Sequence, residues 1–329
     1  MALSGSSEQN AHPAVVLVNG AGGAELTGVH ELLTDGFHTP SILLTARDLS
    51  AQAVGLDPET GTLEVAGRRV RPAVVWTRHC APDTLTAHAR PAGSVTALDA
   101  VACSRFLAQL AAAADVTVPG PAPLGTDQLR QARPLGVRTP RTLLTTDIAA
   151  SARSLGAARV IVKTPDFRLV EPDPERWASH LPVVLDAATA TGHPGRPVVL
   201  QEYVEHAAEL RVYHLDGGLC AFQVRQPTPA ARWTDPDVVT VTRVECPAAV
   251  AAAVRTLATA WGLRYAAFDL LLTSAGEVVL LEANPDGDWL FYQRRAGWTG
   301  MSFLAAVMVR QLFVEATSRG GRSDARTAT

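Results

Sequence analysis

The stretch Tyr265–Leu290, YAAFDLLLTSAGEVVLLEANPDGDWL, reads as a β-hairpin followed by an acidic loop. Two mostly apolar runs flank a short polar turn, which is the pattern of two paired strands. A two-residue turn at Ala275 and Gly276 would set the register of the pair. Counting back along the ladder from that turn places Asp269 directly opposite Glu282.

The opposed carboxylates predict a metal site. Side chains alternate between the two faces of a strand, so Asn284 would share the face of Glu282. Like charges that face each other across a sheet are destabilising, and a hard divalent cation is the natural ligand for two carboxylates and an amide oxygen. The alternative is that Asp269 and Glu282 edge a strand and point at water. The apolar neighbours, Phe268 and Leu280 among them, argue against that alternative.

Composition sets broad limits. The chain has 329 residues, a formal net charge of −3 and 47% hydrophobic residues, which is enough for two or three packed units. The near-neutral balance gives no case for nucleic-acid or membrane binding, and we expect neither as a partner. Four widely spaced cysteines without a CxxC pair suit reduced thiols, and no signal-peptide pattern is present, so we expect a cytoplasmic protein.

Strands and helices alternate in the first hundred residues. The continuous apolar run Ala14–Val18 is typical of a strand buried on both faces of a parallel sheet, and an α/β unit follows from the alternation. Three prolines and a glycine between Val118 and Pro123 predict a domain junction. Beyond the junction, helices are expected over about 126–135, 148–155, 181–191 and 247–261.

Several charged residues precede the hairpin in the chain. Lys163 ends an apolar strand, and Glu209 and Arg211 lie two residues apart on one strand, so they share a face. Taken singly, each has an ordinary interpretation. Lys163 can be a surface cation whose stem covers apolar surface, and Arg211 can simply pair with Glu209.

Taken in order, these segments resemble the ATP-grasp superfamily from about Ala122 onwards. The matching segments are GVRTPRT (136–142), VIVK (160–163), LQEYV (200–204), ELRV (209–212), FDL (268–270) and LEANP (281–285). The pattern is most similar to the branch that contains the ribosomal-protein glutamate ligase and the maturases of ribosomally made peptides.

The resemblance implies an α/β chain in which a parallel α/β domain precedes a two-subdomain ATP-grasp fold. It places the N-terminal domain at 1–118, the central subdomain at 119–195 and the C-terminal subdomain at 196–317. The last residues, 318–329, are expected to form a disordered tail. The N-terminal domain and the apolar last helix are candidate surfaces for a homodimer.

The resemblance also implies a nucleotide site. Lys163 would contact the phosphates of ATP and Glu209 would hold the ribose. Adenine would be held by backbone groups of four consecutive residues, Gln201, Glu202, Tyr203 and Val204. Two Mg²⁺ ions would bind between the phosphates and the set Asp269, Glu282 and Asn284, which fits the preference of Mg²⁺ for a few carboxylate oxygens plus phosphates.

Two arginines are the catalytic candidates that the resemblance implies. Arg211 would lie near the transferred phosphoryl group, and Arg225 is the second candidate. The loop 227–237, together with Arg225 and Arg232, is a candidate for substrate contact, although an ordinary solvated loop fits the residues equally well.

This sequence departs from the family pattern at two places. The family usually carries a lysine early in the helix before its GVxxP segment, whereas LGTDQLRQAR (124–133) has none; either Arg130 or Arg133 is an open substitute. The family also often has a glycine-rich loop after the strand lysine, whereas Thr164–Ala190 contains no glycine.

The resemblance implies an ATP-dependent ligase that joins a carboxylate to an amine or a hydroxyl through an acyl phosphate. The expected substrate is a peptide or an amino acid, in peptide modification or natural-product biosynthesis. Two alternatives stay open: a non-catalytic nucleotide-binding scaffold and a small-molecule kinase.

Overall fold

A computed structural model describes residues 11–20, 24–80, 97–164, 181–192 and 195–327. The chain divides into two compact units: one comprises Met1–Val118 and Ser302–Thr329, and the other is Pro119–Met301. The division lies at the prolines that predict a junction. Within the described residues, no helix combines the length and the apolar character needed to cross a membrane.

The first unit is built on a six-stranded sheet. Its strands are β1 (His12–Asn19), β2 (Ser41–Thr45), β3 (Val54–Asp57), β4 (Thr62–Val65), β5 (Arg68–Arg78) and β6 (Val116–Val118). β1 pairs in parallel with β2 and β5, β6 is parallel to β5, and β3 and β4 add an antiparallel edge. The run Val15–Val18 is fully buried, so the prediction of a parallel α/β sheet is confirmed.

The α-helices that accompany this sheet in the described part of residues 1–118 are α1 (Glu25–Glu31), α2 (Ala46–Ala51) and α3 (Ala97–Ala112). Helix α2 begins directly after β2 because Thr45 and Asp48 form a capping box, in which each side chain accepts a hydrogen bond from the other residue's backbone N–H.

The second unit begins with α4 (Asp127–Ala132) and α5 (Ile148–Leu155) and contains two antiparallel sheets. The four-stranded sheet has the order β7-β10-β8-β9. Its strands are β7 (Thr142–Thr145), β8 (Arg159–Lys163), β9 (Val183–Asp186) and β10 (Val198–Glu202). Strand β10 lies between β7 and β8, whereas the predicted subdomain boundary at residue 195 assigned it to the following subdomain.

The helix expected over 181–191 is wrong. Val183–Asp186 forms β9, which pairs with β8, and a turn follows. The run Val183-Val184-Leu185 carries β-branched residues that pack well in a sheet, and pairing with β8 overrides the helix preference of the alanines behind it.

The five-stranded sheet has the order β13-β12-β11-β14-β15. Its strands are β11 (Ala208–Leu215), β12 (Gly218–Arg225), β13 (Thr240–Val244), β14 (Tyr265–Leu272) and β15 (Val278–Asn284). Three further helices belong to this unit: α6 (Ala231–Thr234), α7 (Ala248–Ala260) and α8 (Leu290–Arg295). Helix α7 packs on one face of the sheet, where Val254 and Leu257 meet Leu210 and Phe268.

The β14–β15 hairpin contains a β-bulge. Asp269 pairs with Glu282, as predicted, but Leu270 pairs with Leu280, so Leu281 is an extra residue on β15. The turn is also longer than predicted, because the N–H of Thr273 donates to the carbonyl of Glu277 across a three-residue loop. The two one-residue differences cancel, which is why the predicted pairing of the carboxylates is correct.

Helix α9 (Met301–Thr327) groups with the first unit from Ser302 onwards. Phe303 packs on Phe37 with ring centroids 5.9 Å apart, and the Arg310 guanidinium lies 5.5 Å from the centre of the Phe37 ring. The sequence prediction instead placed 302–317 in the C-terminal subdomain and a disordered tail beyond it. No proline interrupts residues 301–327, and extending an existing helix costs far less than starting one.

Candidate active site

A cavity lies within the second unit, lined by residues of both of its sheets. One part of its wall is apolar and consists of Ile161 on β8, Val204 after β10, and Leu271 and Leu281 on the hairpin. Val204 and Leu271 pack on Val279 in a small separate core, and Leu281 packs against that core. This part of the wall suits a flat apolar group such as a purine ring.

The bulge aims the carboxylates into the cavity. Leu280 and Ala283 both pack on the α7 side of the sheet, while Leu281 and Glu282, between them, both line the cavity. Strict alternation would put Glu282 on the same face as Leu280, so the extra residue changes the phase of β15. Asp269, opposite Glu282, lines the cavity as well.

Arg211 is bound to one of these carboxylates. Its Nη1 donates to Oδ2 of Asp269 at 2.7 Å, and the two side chains are only 4% and 15% exposed. The guanidinium also lies over two rings, 5.4 Å from the centre of Tyr213 and 5.1 Å from that of Tyr292. Burial alone would lower the pKa of Arg211, but Asp269 and the tyrosines raise it well above the ordinary value, so Arg211 stays charged.

Gly287 gives the Arg211 side chain its space. A Cβ on Gly287 would lie 2.2 Å from Cβ of Ala267 and 2.7 Å from Nη2 of Arg211. The hydroxyls of Tyr265 and Tyr213 donate to the carbonyls of Gly287 and its neighbour Asp288, which fixes the loop after β15 against the sheet.

The strand segment expected at adenine lines the cavity with all four of its residues: Gln201, Glu202, Tyr203 and Val204. The Glu202 side chain is held by Arg141, which does not line the cavity: the carboxylate accepts hydrogen bonds from N and Nε of Arg141 at 3.1 and 2.6 Å. Burial pulls the pKa of Glu202 up, but the bonds from Arg141 outweigh it and hold the pKa below its ordinary value.

Glu209 lines the cavity and is half-buried. Gln226 donates to both of its carboxylate oxygens at 3.1 Å. Burial raises the pKa of Glu209, and the bonds from Gln226 offset this only in part. A carboxylate with a raised pKa that already holds one donor is suited to accept further bonds from a hydroxyl group of a ligand.

Two basic residues face the cavity without an acidic partner among the residues that the structure describes: Lys163 at the end of β8 and Arg232 on α6. Nη1 of Arg232 donates to the Tyr292 hydroxyl at 2.7 Å, and its guanidinium stacks 3.8 Å from the centre of the Trp233 ring. The segment without glycines after Lys163 falls largely on residues 165–180, outside the described residues.

Three predicted site residues do not line the cavity: Arg211, Arg225 and Asn284. Arg225 is exposed at the end of β12, opposite Thr240, and lies out of phase with Val224 and Gln226. Strand alternation therefore turns it to the other face of the sheet, and its catalytic role stays a prediction. Asn284 ends β15, and its Oδ1 accepts the N–H of Asp286 at 2.9 Å.

Neither open substitute for the missing lysine reaches the cavity. Arg130 pairs with Asp127 one turn away on α4, and Arg133 donates to Thr139 Oγ1 at 2.8 Å. Gln226, which the sequence reasoning missed, could have been found because it continues the alternation of β12 one residue beyond Arg225.

The donor set fits a hard divalent cation that is shared with an anionic ligand. Asp269 and Glu282 offer two carboxylates, and Lys163 and Arg232 offer cations in the same cavity. No group of three or more His, Cys, Asp or Glu side chains in the described part of the chain could hold a metal ion alone. Such an ion would therefore need ligand oxygens, as Mg²⁺ does when it binds phosphates.

Solved structures of ATP-grasp ligases match this chain over nearly its whole length. The ATP-grasp ligase PsnB, complexed with minimal precursor, Mg and ADP, is 20% identical with a TM-score of 0.69, and the match covers 93% of this chain and 100% of PsnB. The macrocyclase MdnC from Microcystis aeruginosa MRC, bound with precursor peptide MdnA, is 16% identical with a TM-score of 0.66, covering 90% and 99%.

A RiPP-associated ATP-grasp ligase from Chryseobacterium gregarium, in complex with ADP and a leader and core peptide, is 14% identical with a TM-score of 0.64, covering 91% of this chain and 97% of its own. No family profile matches this chain, and no curated protein matches it in sequence. The structural matches show that the chain has the ATP-grasp fold, so the predicted fold is confirmed.

Proposed function

We propose that this protein is an ATP-dependent ligase that activates a carboxylate as an acyl phosphate and joins it to an amine or a hydroxyl. The observation that carries the proposal is a cavity that combines an apolar wall, two opposed carboxylates and two basic side chains that have no acidic partner among the described residues. That combination suits a nucleotide triphosphate with its metal, on a fold shared with ligases that act on peptides.

In this proposal the apolar wall and the segment 201–204 hold adenine, and Glu209 accepts bonds from the ribose. Lys163 binds phosphate oxygens as a point charge. Asp269 and Glu282, with Asn284 after a turn of its side chain, would hold Mg²⁺, which neutralises phosphate charge during transfer.

The chain's own residues provide positioning and charge. Phosphoryl transfer needs little covalent help from a protein, so no nucleophilic side chain is required. The substrate carboxylate attacks the terminal phosphorus and ADP leaves; the amine or hydroxyl then attacks the acyl carbon, and phosphate leaves with the bonding electrons. Arg211 does not line the cavity, and its role in the proposal is to hold Asp269 in place.

We propose a precursor peptide as the substrate, which the matched ligases with bound peptides support. The test is incubation with ATP, Mg²⁺ and short peptides encoded beside the gene, followed by mass spectrometry. A ligase product loses one water per new bond, whereas a kinase product gains a phosphate. Added hydroxylamine should trap the acyl phosphate as a hydroxamate. ADP release with a substrate that never yields a hydroxamate or a dehydrated product would contradict the ligase.

Two further features belong to this proposal. None of the four cysteines forms a disulfide bond, which supports a reducing compartment such as the cytoplasm. Helix α9 exposes Phe303, Val307 and Val314, and these apolar side chains support self-association as a homodimer. Analytical ultracentrifugation of the protein and of a Phe303→Ser variant tests the second point.

A further inference from the structure

Two arginines lie near the carboxylates of the cavity, and they differ in what they already bind. Arg211 is buried and its charge is matched by Asp269 at 2.7 Å. Arg232 has no carboxylate within ion-pair distance among the described residues, and its one hydrogen bond goes to the neutral hydroxyl of Tyr292. A guanidinium carries five N–H donors, so most of those on Arg232 are available to a ligand.

The Arg232 side chain is held in a defined position. Tyr292 accepts from Nη1 on one side, and the Trp233 ring lies 3.8 Å from the guanidinium carbon. The Tyr292 ring is the same ring that lies under Arg211, so one tyrosine supports both cations. Fixing a long side chain in advance removes part of the entropy cost that binding would otherwise incur.

Tyr292 places Arg232 near the carboxylates, because the ring whose hydroxyl binds Arg232 lies 5.1 Å from the Arg211 guanidinium that pairs with Asp269. Burial lowers its pKa, but Tyr292, Asp269 and Glu282 outweigh burial and raise the pKa above its ordinary value. Ligand oxygens that share a cation with Asp269 and Glu282 must approach this part of the cavity. Arg130 on α4 and Arg133 directly after it, the two open substitutes for the lysine, are held by other partners.

We propose that Arg232 binds the terminal phosphoryl group of the nucleotide, in place of the missing lysine, and is thereby a catalytic residue of the ligase. The inference rests on the proposed function, because it requires ATP in this cavity. A planar guanidinium can bind two oxygens of a phosphoryl group at once, and it spreads positive charge where negative charge accumulates during transfer.

The test compares two nucleotides by isothermal titration calorimetry in Mg²⁺: ADP, which lacks the terminal phosphate, and the non-hydrolysable analogue AMPPNP, which has it. Arg232→Ala should weaken AMPPNP binding by roughly 10- to 100-fold, the loss expected for hydrogen bonds between charged groups. Binding of ADP should change by less than about threefold, within the range of an indirect effect. Arg232→Lys should recover part of the lost AMPPNP affinity, since lysine keeps the positive charge but lacks the paired N–H donors of the planar guanidinium.

Two more variants sharpen the result. Tyr292→Phe keeps the ring under Arg211 and removes only the acceptor of Arg232, so AMPPNP should bind several-fold more weakly while ADP binds as before. Arg294→Ala is the matched control, because it removes an exposed positive charge two residues after Tyr292 on α8. Its affinities for both nucleotides should equal those of the unmodified protein.

The outcomes separate the inference from the proposed function. If the unmodified protein binds ADP and AMPPNP but Arg232→Ala weakens both equally, or neither, the assignment of Arg232 is wrong while a nucleotide site stands. If the unmodified protein binds neither nucleotide, the proposed function fails first. An unchanged AMPPNP affinity in Tyr292→Phe would contradict the idea that the hydrogen bond to the Tyr292 hydroxyl positions Arg232.

Discussion

Asp269 and Glu282 have the same proposed role at the metal, but only Asp269 also neutralises a buried arginine. Replacing either one should therefore weaken nucleotide binding in Mg²⁺, whereas only replacement of Asp269 should destabilise the fold. The side chain of Glu282 forms no hydrogen bond or ion pair with the residues that the structure describes, so Glu282→Gln is a matched control.

The magnitude follows from the burial of the pair. Removing one partner of a buried ion pair costs about 3–5 kcal/mol, because the remaining charge has lost its counterion. Arg211 is 4% exposed, but Asp269 is 15% exposed and borders the open cavity, so water can fill the vacated place. We expect about 3 kcal/mol for Asp269→Ala, the lower end of that range. Glu282→Gln should cost about 0.5 kcal/mol or less, as ordinary surface substitutions do.

Urea unfolding followed by tryptophan fluorescence, in EDTA and without nucleotide, measures this difference. The double variant Arg211→Met/Asp269→Leu should regain most of the stability, because replacing both partners of a buried pair by apolar side chains is often neutral. Equal destabilisation by Asp269→Ala and Glu282→Gln would refute the reasoning, and so would a double variant no more stable than Asp269→Ala.

The remaining predictions concern two other carboxylates and a glycine. The pKa of Glu202 lies below its ordinary 4.5, so its stabilising contribution is present above pH 4.5 and is lost as the pH falls through the folded-state pKa. Glu202→Gln should therefore lower the free energy of unfolding at neutral pH. In acid the stabilities of the variant and the unmodified protein should become equal. The pKa of Glu209 is raised from 4.5, so its stabilising contribution is present below pH 4.5 and is lost as the pH rises through the folded-state pKa. Between acid and neutral pH, Glu209→Gln should therefore gain stability relative to the unmodified protein. Urea unfolding measured across this pH range checks the sign of both predictions. Gly287→Ala should lower the free energy of unfolding by about 1–3 kcal/mol through overpacking, and it should also lower the ligation rate. Gly55→Ala is the control, because its added Cβ meets nothing within 4 Å and its stability should be nearly unchanged. Thermal unfolding distinguishes the two variants.

Much of the fold follows from short patterns in the sequence. The helix expected over 148–155 occurs as α5, because Asp147 accepts the N–H of Ala150 at its start and Gly156 ends it with a positive φ of 60°. The residues after Leu181 lack such local stops, and their structure depends on pairing with β8, which lies about twenty residues earlier. Local pattern therefore fails where a long-range partner decides.

The candidate site was predictable where strand alternation alone fixes a face. Glu209 and Arg211 share a face, as their spacing requires, but the same alternation turns Arg225 away from the cavity. Arg232 could not be ranked above Arg225 from the sequence, because its position depends on a short loop helix and on a hydrogen bond to Tyr292, sixty residues later. Loop residues carry no period from which a direction can be predicted.

The bulge at Leu281 has a consequence for comparing this chain with distant relatives. A relative whose hairpin has the same length but a two-residue turn would keep its carboxylates opposed only without the bulge, because the residue that leaves the turn joins a strand. Such a relative would align with this chain without a gap, although its strand pairs beside the turn differ by one residue. Sequence alignment across this hairpin therefore matches the two carboxylates but does not reveal which turn a relative has.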